Sequence, residues 1–375
     1  MEKLKDRDKK IIFISIIIVA LLAIGFLAFF FFREEIFNEK NKETKENPSI
    51  SIIKEEQPKE ENFKPALLEW EEISSDSAWS PRDSHATVVF KDKLWLIGGL
   101  NGNGFQDENG NVPYWMVPHF SDIWSSENGK DWELITENAP WGERRSMQVI
   151  VFKDKLWLIG GWSPNGGFLK DIWNSENGKD WNRIEPQGGL PEIEGDQIIV
   201  FNNKLFLTGG VRYDQRKEKN YVWSSDDGIN WTEVVKEAPW SPRWDHMVAT
   251  FKDKIWLIGG MDLAGGVFKD VWNSENGKDW ELVTDNPPWA QRQGQGILVF
   301  KDKLWIMGRL VGKDIPGEND IWFSDDGITW EKTEIDAPWT GREDSGILIF
   351  KDDIWVFGGM DGNWEWKNDI WRSTY

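Results

Sequence analysis

Residues 151–161 read VFKDKLWLIGG and residues 170–181 read KDIWNSENGKDW, and variants of this pair occur six times along the chain. The first glycine of the LIGG-like element recurs at intervals of 62, 49, 50, 49 and 50 residues. These glycines are Gly98, Gly160, Gly209, Gly259, Gly308 and Gly358. Such a period indicates a β-propeller or a solenoid. The apolar residues within it alternate or form short β-branched and aromatic runs, which predicts strands throughout.

Each period contains four predicted strands, A to D. Strand A is the VIVF-type run (149–152 in the second copy), B is KLWLIGG, C is DIWNS and D is the WELIT-type run. The turn between C and D contains Asn-Gly or Asp-Gly in five copies, with its glycine at Gly129, Gly178, Gly228, Gly277 and Gly327. These dipeptides supply the positive φ angles of a tight hairpin. Four antiparallel strands form one blade of a propeller.

The two ends of the repeat region complete each other. The last copy stops after strand C, at residues 371–375, and lacks a strand D, whereas residues 67–74 (LLEWEEIS) form an unpaired strand D at the start. Its Trp70 lies nine residues before Trp79, the same spacing as Trp132 and Trp141 in a complete copy. We therefore predict an all-β, six-bladed propeller over residues 65–375, closed by the N-terminal strand.

These residues carry a family resemblance. An apolar run ending in Gly-Gly, then Asp-Ile/Val-Trp, then a further Trp about eight residues later resembles the kelch repeat. The C–D hairpins are similar to the Asp-box of sialidase-type propellers, best in Ser224, Asp226, Gly228 and Trp231. Both resemblances imply a β-propeller. Kelch propellers are mostly binding modules with a few enzymes among them, so the resemblance does not select a function.

The N-terminal region predicts a membrane anchor. Residues 1–10 form a basic flank, and residues 11–32 are apolar apart from Ser15 and Gly25. At about 1.5 Å per residue this run spans roughly 33 Å, enough for the hydrocarbon core of a bilayer. It ends in FFFFREE without a small-residue cleavage site, which favours a transmembrane helix over the alternative of a cleaved signal peptide. Basic residues before the span and acidic ones after it predict a cytoplasmic N-terminus and an exported propeller.

Composition narrows the range of partners. Residues 33–64 are rich in Glu, Lys and Asn and predict a disordered tether. The propeller therefore carries nearly all of the net charge of −20, which argues against nucleic acid as a partner. The chain has no cysteine, so neither a disulfide framework nor a lipoprotein anchor is predicted.

Two recurring charged positions are interpreted as scaffold. An arginine follows the Trp of the Ala-Pro-Trp-type element by three residues, at Arg82, Arg144, Arg243, Arg292 and Arg342. An aspartate begins strand C, at Asp122, Asp171, Asp270, Asp320 and Asp369. Blade 3 lacks the Trp, the Arg and the Asp together, and has Leu190, Ile193 and Tyr221 instead. Joint loss predicts one structural unit in which Trp stacks on an Arg that pairs with Asp.

The departures from the repeat are the candidates for function. Of 27 tryptophans, 22 occupy recurring positions and predict packing layers; the others are Trp115, Trp162, Trp244, Trp364 and Trp366. Four of these five fall in the B–C connections of blades 1, 2 and 6, together with Phe105, Tyr114 and Phe168. Clustered exposed aromatics are typical of a binding surface. The alternative is that the long blade 1 loop, within 100–121, buries its own rings.

Strand A offers a second set of non-repeating residues, just after the arginine position. They are Asp83 and His85, Arg145 and Met147, Glu194 and Asp196, Trp244 and His246, Gln293 and Gln295, and Glu343 and Ser345. By the alternation of a strand these side chains point toward the channel mouth. They predict either a polar small-molecule pocket, with Asp83, His85, Arg145 and His246 as ligand-binding candidates, or a hydrated pore lining.

The sequence lacks residues that several metal-dependent activities require. Without cysteine and with three histidines, a copper oxidase of the galactose-oxidase kind is excluded. A zinc site on His85, His119 and His246 has no ligand spacing in its favour, and the Asn/Asp-rich loop at 101–109 leaves a calcium site open. We predict no cofactor, no metal and no catalytic residue.

The leading hypothesis is a non-catalytic module that binds a glycan or a protein through the B–C loops of blades 6, 1 and 2. The alternative is a sugar-acting enzyme, a mutarotase, epimerase or glycosidase-like protein, that uses acids at the channel mouth.

Overall fold

The computed structural model describes residues 63–107, 112–308 and 319–374. Within these ranges the chain forms six antiparallel sheets of four or five strands, one small two-stranded sheet and no α-helix. The A strands of consecutive blades are neighbours around the ring, and strand A of blade 1 lies next to strand A of blade 6. The predicted six-bladed, all-β propeller is confirmed.

Each blade contributes strands A, B, C and D in that order. Their bounds are Ala86–Phe90, Lys93–Ile97, Ile123–Ser126 and Glu133–Thr136 in blade 1; Gln148–Phe152, Lys155–Ser163, Gly167–Ser175 and Asn182–Ile184 in blade 2; Gln197–Phe201, Lys204–Thr208, Val222–Ser225 and Trp231–Val235 in blade 3; Met247–Phe251, Lys254–Ile258, Val271–Ser274 and Glu281–Thr284 in blade 4; Gly296–Phe300, Lys303–Met307, Ile321–Ser324 and Glu331–Lys332 in blade 5; and Gly346–Phe350, Asp353–Asp361, Trp366–Thr374 and the N-terminal Glu69–Ser74 in blade 6. Short strands Val211–Arg212, Lys217–Glu218 and Arg342–Glu343 and the 3-10 turns Pro65–Leu67 and Tyr213–Gln215 complete the described elements.

The ring closes with the first strand. Glu69–Ser74 pairs antiparallel with Trp366–Thr374, placing Trp70 opposite Ser373. Phe63, placed in the tether by its sequence context, packs edge-on against Phe300 with ring centroids 5.6 Å apart. The predicted basic flank (1–10), membrane span (11–32) and all but the last two residues of the tether lie outside the described residues. Among the residues that are described, none belongs to a helix long and apolar enough to cross a membrane.

The core lies between adjacent blades. Buried apolar residues of blades 1 and 2, including Trp95, Trp141 and Leu156, share one cluster, and similar clusters occupy the other described interfaces. The strand B tryptophan also contacts the C–D hairpin of the next blade. Gly178 has a φ of +77°, and a Cβ atom there would lie 2.3 Å from the ring of Trp95. The hairpin glycine is therefore required both by the turn and by the neighbouring blade.

We predict that Gly178→Ala destabilises the protein more than Gly142→Ala. Gly142 has a similar φ of +79° but no heavy atom within 4 Å of its Cβ position. Both changes cost about 1–2 kcal/mol for the left-handed backbone, and Gly178→Ala adds about 1–3 kcal/mol for overpacking against Trp95. Urea unfolding of the two variants measures the difference. Equal midpoints would show that the blade contact contributes nothing.

Candidate functional site

Four consecutive residues enter strand A of each blade, and each has a different role. In blade 1 they are Arg82, Asp83, Ser84 and His85. The first anchors the segment, the second lines a cavity, the third has a left-handed backbone and the fourth packs under Gly-Gly. This division determines which side chains reach the site.

The anchor is a buried ion pair. The Arg82 guanidinium donates to both Asp122 carboxylate oxygens at 2.7 and 2.9 Å, and to the Gly98 carbonyl oxygen at 2.8 Å. The indole of Trp124 donates to the same carboxylate at 2.7 Å. Arg82 is fully buried, so these bonds replace its contacts with water.

The other anchors have the same arrangement. Their Arg–Asp pairs are Arg144–Asp171, Arg243–Asp270, Arg292–Asp320 and Arg342–Asp369, with shortest distances of 2.9, 2.6, 3.0 and 2.5 Å. Phe120 and Phe268 lie closer to their arginines, at 4.2 Å, than the Trp of the preceding element, at 5.9 and 6.0 Å. The predicted Trp stack is thus the weaker of the two ring contacts. All five arginines are committed to the scaffold rather than directed at a ligand.

Blade 3 replaces the ion pair with apolar packing. Leu190, Ile193 and Tyr221 are buried in one hydrophobic cluster. The indole nitrogen of Trp223, which would otherwise donate to the strand C aspartate, is buried without a hydrogen-bond partner among the described residues. The fold therefore tolerates two solutions at one position, provided that all three side chains change together.

We predict that Asp270→Ala lowers the free energy of unfolding by about 3–5 kcal/mol, because it leaves the buried Arg243 unpaired. The triple change Trp240→Leu, Arg243→Ile and Asp270→Tyr copies blade 3 and should recover a large part of this loss. Chemical denaturation of both variants measures the recovery. A triple variant no more stable than Asp270→Ala would contradict the interpretation of the anchor as one exchangeable unit.

The second residue of each segment lines a cavity of about 630 Å³ at the channel mouth, the mouth cavity. These residues are Asp83, Arg145, Glu194, Trp244, Gln293 and Glu343. Their backbones pair with the residue that follows Gly-Gly: Asp83 with Leu100, Arg145 with Trp162 and Glu194 with Val211. The anchor fixes the preceding residue, and this pairing fixes the backbone of the second residue itself. The side chain of the second residue therefore starts from a defined position in each blade.

The third residues form what we call the left-handed ring. They are Ser84, Ser146, Gly195, Asp245, Gly294 and Asp344, with φ between +47° and +65°. Backbone N–H groups link several of them across blades, from Ser146 to the Ser84 carbonyl at 2.9 Å and from Asp344 to the Gly294 carbonyl at 3.1 Å. A left-handed residue interrupts the alternation of a strand. Asp245 and Asp344 therefore line the cavity although they were not predicted to do so.

The fourth residues point away from the mouth. His85 and Met147 line a narrower channel of about 210 Å³ on the other side of the left-handed ring. His246 is fully buried, and its Nε2 lies 2.8 Å from the Thr208 hydroxyl. Burial lowers the pKa of His85 and of His246 to about 3, so both are neutral at physiological pH. The predicted pairing of alternate residues at the mouth thus holds for the first member of each pair only.

Aromatic rings from several B–C loops enclose the mouth cavity. Those lining it are Tyr114, Trp115, Trp162, Phe168, Tyr213 and Trp364, in addition to Trp244. Tyr213 lies 4.8 Å from Trp244 with the rings tilted by 59°, and Tyr114 lies 5.8 Å from Trp364 with a tilt of 49°. Trp115 is at the rim and is 66% exposed. The rings face different directions and form a box rather than a flat platform.

Two predicted aromatic candidates lie elsewhere. Trp366 is buried, and a Cβ atom on Gly102 would lie 2.4 Å from its ring, so the blade 1 loop folds over it. Phe105 is half-exposed but does not line the cavity. Tyr213 and Met261 extend the lining to the loops of blades 3 and 4, beyond the predicted blades 6, 1 and 2. The one sequence signal for Tyr213 is that it is a rare tyrosine in a non-repeating loop.

The charges of the mouth cavity are unequal. Arg145 pairs with Glu194 at 3.3 Å and lies over the Trp162 ring at 4.7 Å. Burial, assisted by the neighbouring Asp344 charge, raises the pKa of Asp83 to about 8. The same two causes raise the pKa of Glu343 to about 8. Asp83 is only 2% exposed, whereas Glu343 is half-buried. Water in the cavity therefore reduces the rise in pKa more at Glu343 than at Asp83.

His85, His119 and His246 do not come together as a zinc site within the described residues. The Nδ1–H of His119 donates a hydrogen bond to the Val117 carbonyl oxygen, at 2.8 Å, and its ring lies against Trp162. The described residues contain no group of three or more His, Asp or Glu side chains arranged to hold a metal ion. Asn109, part of the loop considered for calcium, lies outside those residues.

Comparisons with known proteins address the fold. None of the curated protein sequences compared with the chain matches it. A solved structure titled "Structure of YjhT" superposes with a TM-score of 0.62 at 17% sequence identity, over 80% of this chain and 96% of that one. At this identity the likeness concerns the propeller alone. A family model described as "KLHDC2/KLHL20/DRC7 Kelch-repeats domain" matches residues 151–359, more than half of the chain. The chain belongs to the kelch-repeat family.

Proposed function

We propose that this protein is a non-catalytic binding module that receives the end of a glycan in the mouth cavity. The observation that carries the proposal is one concave site that combines aromatic walls with carboxylates and a guanidinium, built from residues that do not repeat between blades. Its volume of about 630 Å³ suits a ligand of one or two sugar units. Aromatic faces pack against the apolar faces of sugars, and the carboxylates accept hydrogen bonds from hydroxyl groups.

A glycan fits this shape better than a protein surface does. Protein interfaces are broad and bury about 800 Å² on each partner. Here the aromatic residues face inward around a cavity, and among the described lining residues Trp115 is the most exposed ring. A protein partner would therefore have to insert a side chain rather than dock a flat face.

The proposal retains the expectation of a membrane-anchored, exported propeller, based on residues 11–32. Anchoring would leave the mouth cavity available to extracellular glycans. Protease treatment of intact cells tests this expectation, since it should remove the propeller only if the domain lies outside.

We predict that the double variant Trp162→Ala and Trp364→Ala loses at least about 30-fold in affinity for a glycan found by array screening of the full-length protein, equivalent to about 2 kcal/mol. Both side chains line the cavity and are half-buried. Phe105→Ala is the matched control, because Phe105 is an exposed ring of the same loop face outside the cavity. Retained binding by the double variant, at an unchanged melting temperature, would contradict the proposal.

A second candidate is favoured by one observation. Raised pKa values near 8 at Asp83 and Glu343 suit a group that donates or accepts a proton near neutral pH. This supports the sugar-acting enzyme alternative in the same cavity. Asp83→Asn distinguishes the two, because it should abolish turnover in an enzyme while a binding module keeps its ligand chemically unchanged in both forms.

A further inference from the structure

The mouth cavity has more negative than positive groups. Five carboxylates line its interior, at Asp83, Glu194, Asp245, Glu343 and Asp344. Among the described lining residues Arg145 is the one cation, and it is already paired with Glu194. Asp214 at the rim has its own partner in Arg212, at 2.7 Å. Among the described residues, four carboxylates therefore share the cavity without a cation of their own.

The hydrogen bonds of these carboxylates are incomplete. Asp83 is 2% exposed, and its Oδ1 has no hydrogen-bond partner in the described structure. The indole of Trp366 is near this carboxylate, but its nitrogen is also without a bond of normal geometry. Asp344 accepts one bond from the Ser84 hydroxyl, at 3.0 Å, and Glu343 accepts one from Gln293, also at 3.0 Å. Buried acceptors of this kind cost stability unless a ligand completes them.

The aromatic box has the geometry of a cation site. Rings tilted by 41° to 59° surround the cavity, at Phe168, Tyr213 and Trp244 on one side and Tyr114 and Trp364 on another. A cation is attracted by the face of each ring and gains from several faces at once. The protein's own cations already use part of this wall, with Arg145 over Trp162 at 4.7 Å and Arg212 over Phe168 at 4.5 Å. Trp244 directly precedes Asp245, which brings an aromatic face and a carboxylate together.

We infer that the ligand of the mouth cavity carries an organic ammonium group. The Trp244 and Tyr213 rings contact this group on one side, and the carboxylates of Asp245, Asp344 and Asp83 contact it on the other. A small amine or an amino sugar supplies this chemistry. The inference rests on the proposed function only in taking the mouth cavity as the binding site. It adds the charge of the ligand, which the glycan proposal leaves open.

Proton release follows from this arrangement. The charged and titratable groups that share the cavity with Asp245 are Asp83, Tyr114, Arg145, Glu194, Tyr213, Glu343 and Asp344, with Asp214 at the rim. Burial first, and then the charges of the neighbouring acids, raise the pKa of Asp245 and of Asp83. An ammonium ion favours the ionised carboxylates, so each carboxylic acid that ionises on binding releases one proton to solvent. Affinity should therefore increase as pH rises through the range in which these acids titrate.

Isothermal titration calorimetry of the full-length protein tests the inference with two matched pairs of probes. Choline is compared with 3,3-dimethyl-1-butanol, its uncharged carbon isostere, and glucosamine with N-acetylglucosamine. We expect at least one cation to bind about tenfold or more tightly than its neutral partner. For choline, whose charge does not change with pH, the affinity should rise between about pH 6 and about pH 8, with proton release seen as a dependence of the heat on buffer ionisation. Which pair responds distinguishes a small ammonium compound that is not a sugar from an amino sugar.

Two acid variants make the test specific. Asp245→Asn should weaken cation binding about tenfold, since it removes a carboxylate from the box. Asp196→Asn is the matched control, because Asp196 is a buried acid in the same segment of blade 3 that does not line the cavity, and the change should leave affinity within about twofold. Circular dichroism melting checks that both variants are folded.

Equal affinity for charged and neutral probes, no binding of either cation at millimolar concentration, or a choline affinity that falls with rising pH would each overturn the inference. If a neutral glycan still binds and the Trp162/Trp364 variant abolishes that binding, the proposed function stands without the ammonium group. Loss of both responses would remove the mouth cavity as a site.

Discussion

A buried arginine that holds a carboxylate and a backbone carbonyl at once is the interaction on which this propeller depends. In five blades the guanidinium joins the start of strand A to the start of strand C. In blades 1, 2, 4 and 6 it also donates to the carbonyl oxygen of the first Gly-Gly residue. Removing one partner leaves a buried charge, which costs about 3–5 kcal/mol, so the unit is retained whole or replaced whole. Blade 3 shows the replacement, with Leu190, Ile193 and Tyr221 in apolar contact.

The anchor also determines which positions of each blade can carry functional side chains. It fixes one residue, and the next residue along the chain then lines the mouth cavity at a defined place in every blade. A single residue of the anchor cannot change without loss of stability, whereas the residue after the arginine has no partner that repeats between blades. The left-handed ring adds a second variable position, because its positive φ turns Asp245 and Asp344 toward the same cavity. Burial and the charges of neighbouring acids raise the pKa of the acids in the mouth cavity, to about 8 for Asp83 and for Glu343, so the folded state binds their protons more tightly than the unfolded chain does. Their contribution to stability therefore declines as pH rises from about 4 to about 8.

The fold could be predicted from the sequence because its determinants are local and repeated. The Asn-Gly and Asp-Gly turns defined the hairpins, and the Trp70–Trp79 spacing defined the closing strand. The anchor could be predicted from the three simultaneous changes in blade 3. Only part of the site could be predicted from the sequence. Asp83, Arg145 and Trp244 follow from strand alternation, but Asp245 and Asp344 do not, since a left-handed residue breaks that rule. Trp364 and Trp366 are two residues apart in one connection, yet one lines the cavity and the other packs on Gly102. That difference depends on how a distant loop folds, and it has no local signal.

Carbon-13 NMR titration of the side-chain carboxyl groups tests the central claim most directly, because it measures in one experiment whether the recurring aspartates are compensated and the non-recurring ones are not. The hydrogen bonds and charge of Arg144 outweigh burial and hold the pKa of Asp171 below its ordinary value, so this carboxylate should stay ionised at neutral pH. Asp83 should instead titrate near pH 8, because it is buried beside Asp344 without a cation of its own. An Asp83 resonance that titrates near pH 4, like that of an exposed aspartate, would contradict the conclusion that the acids of the mouth cavity are uncompensated and bind a cationic ligand.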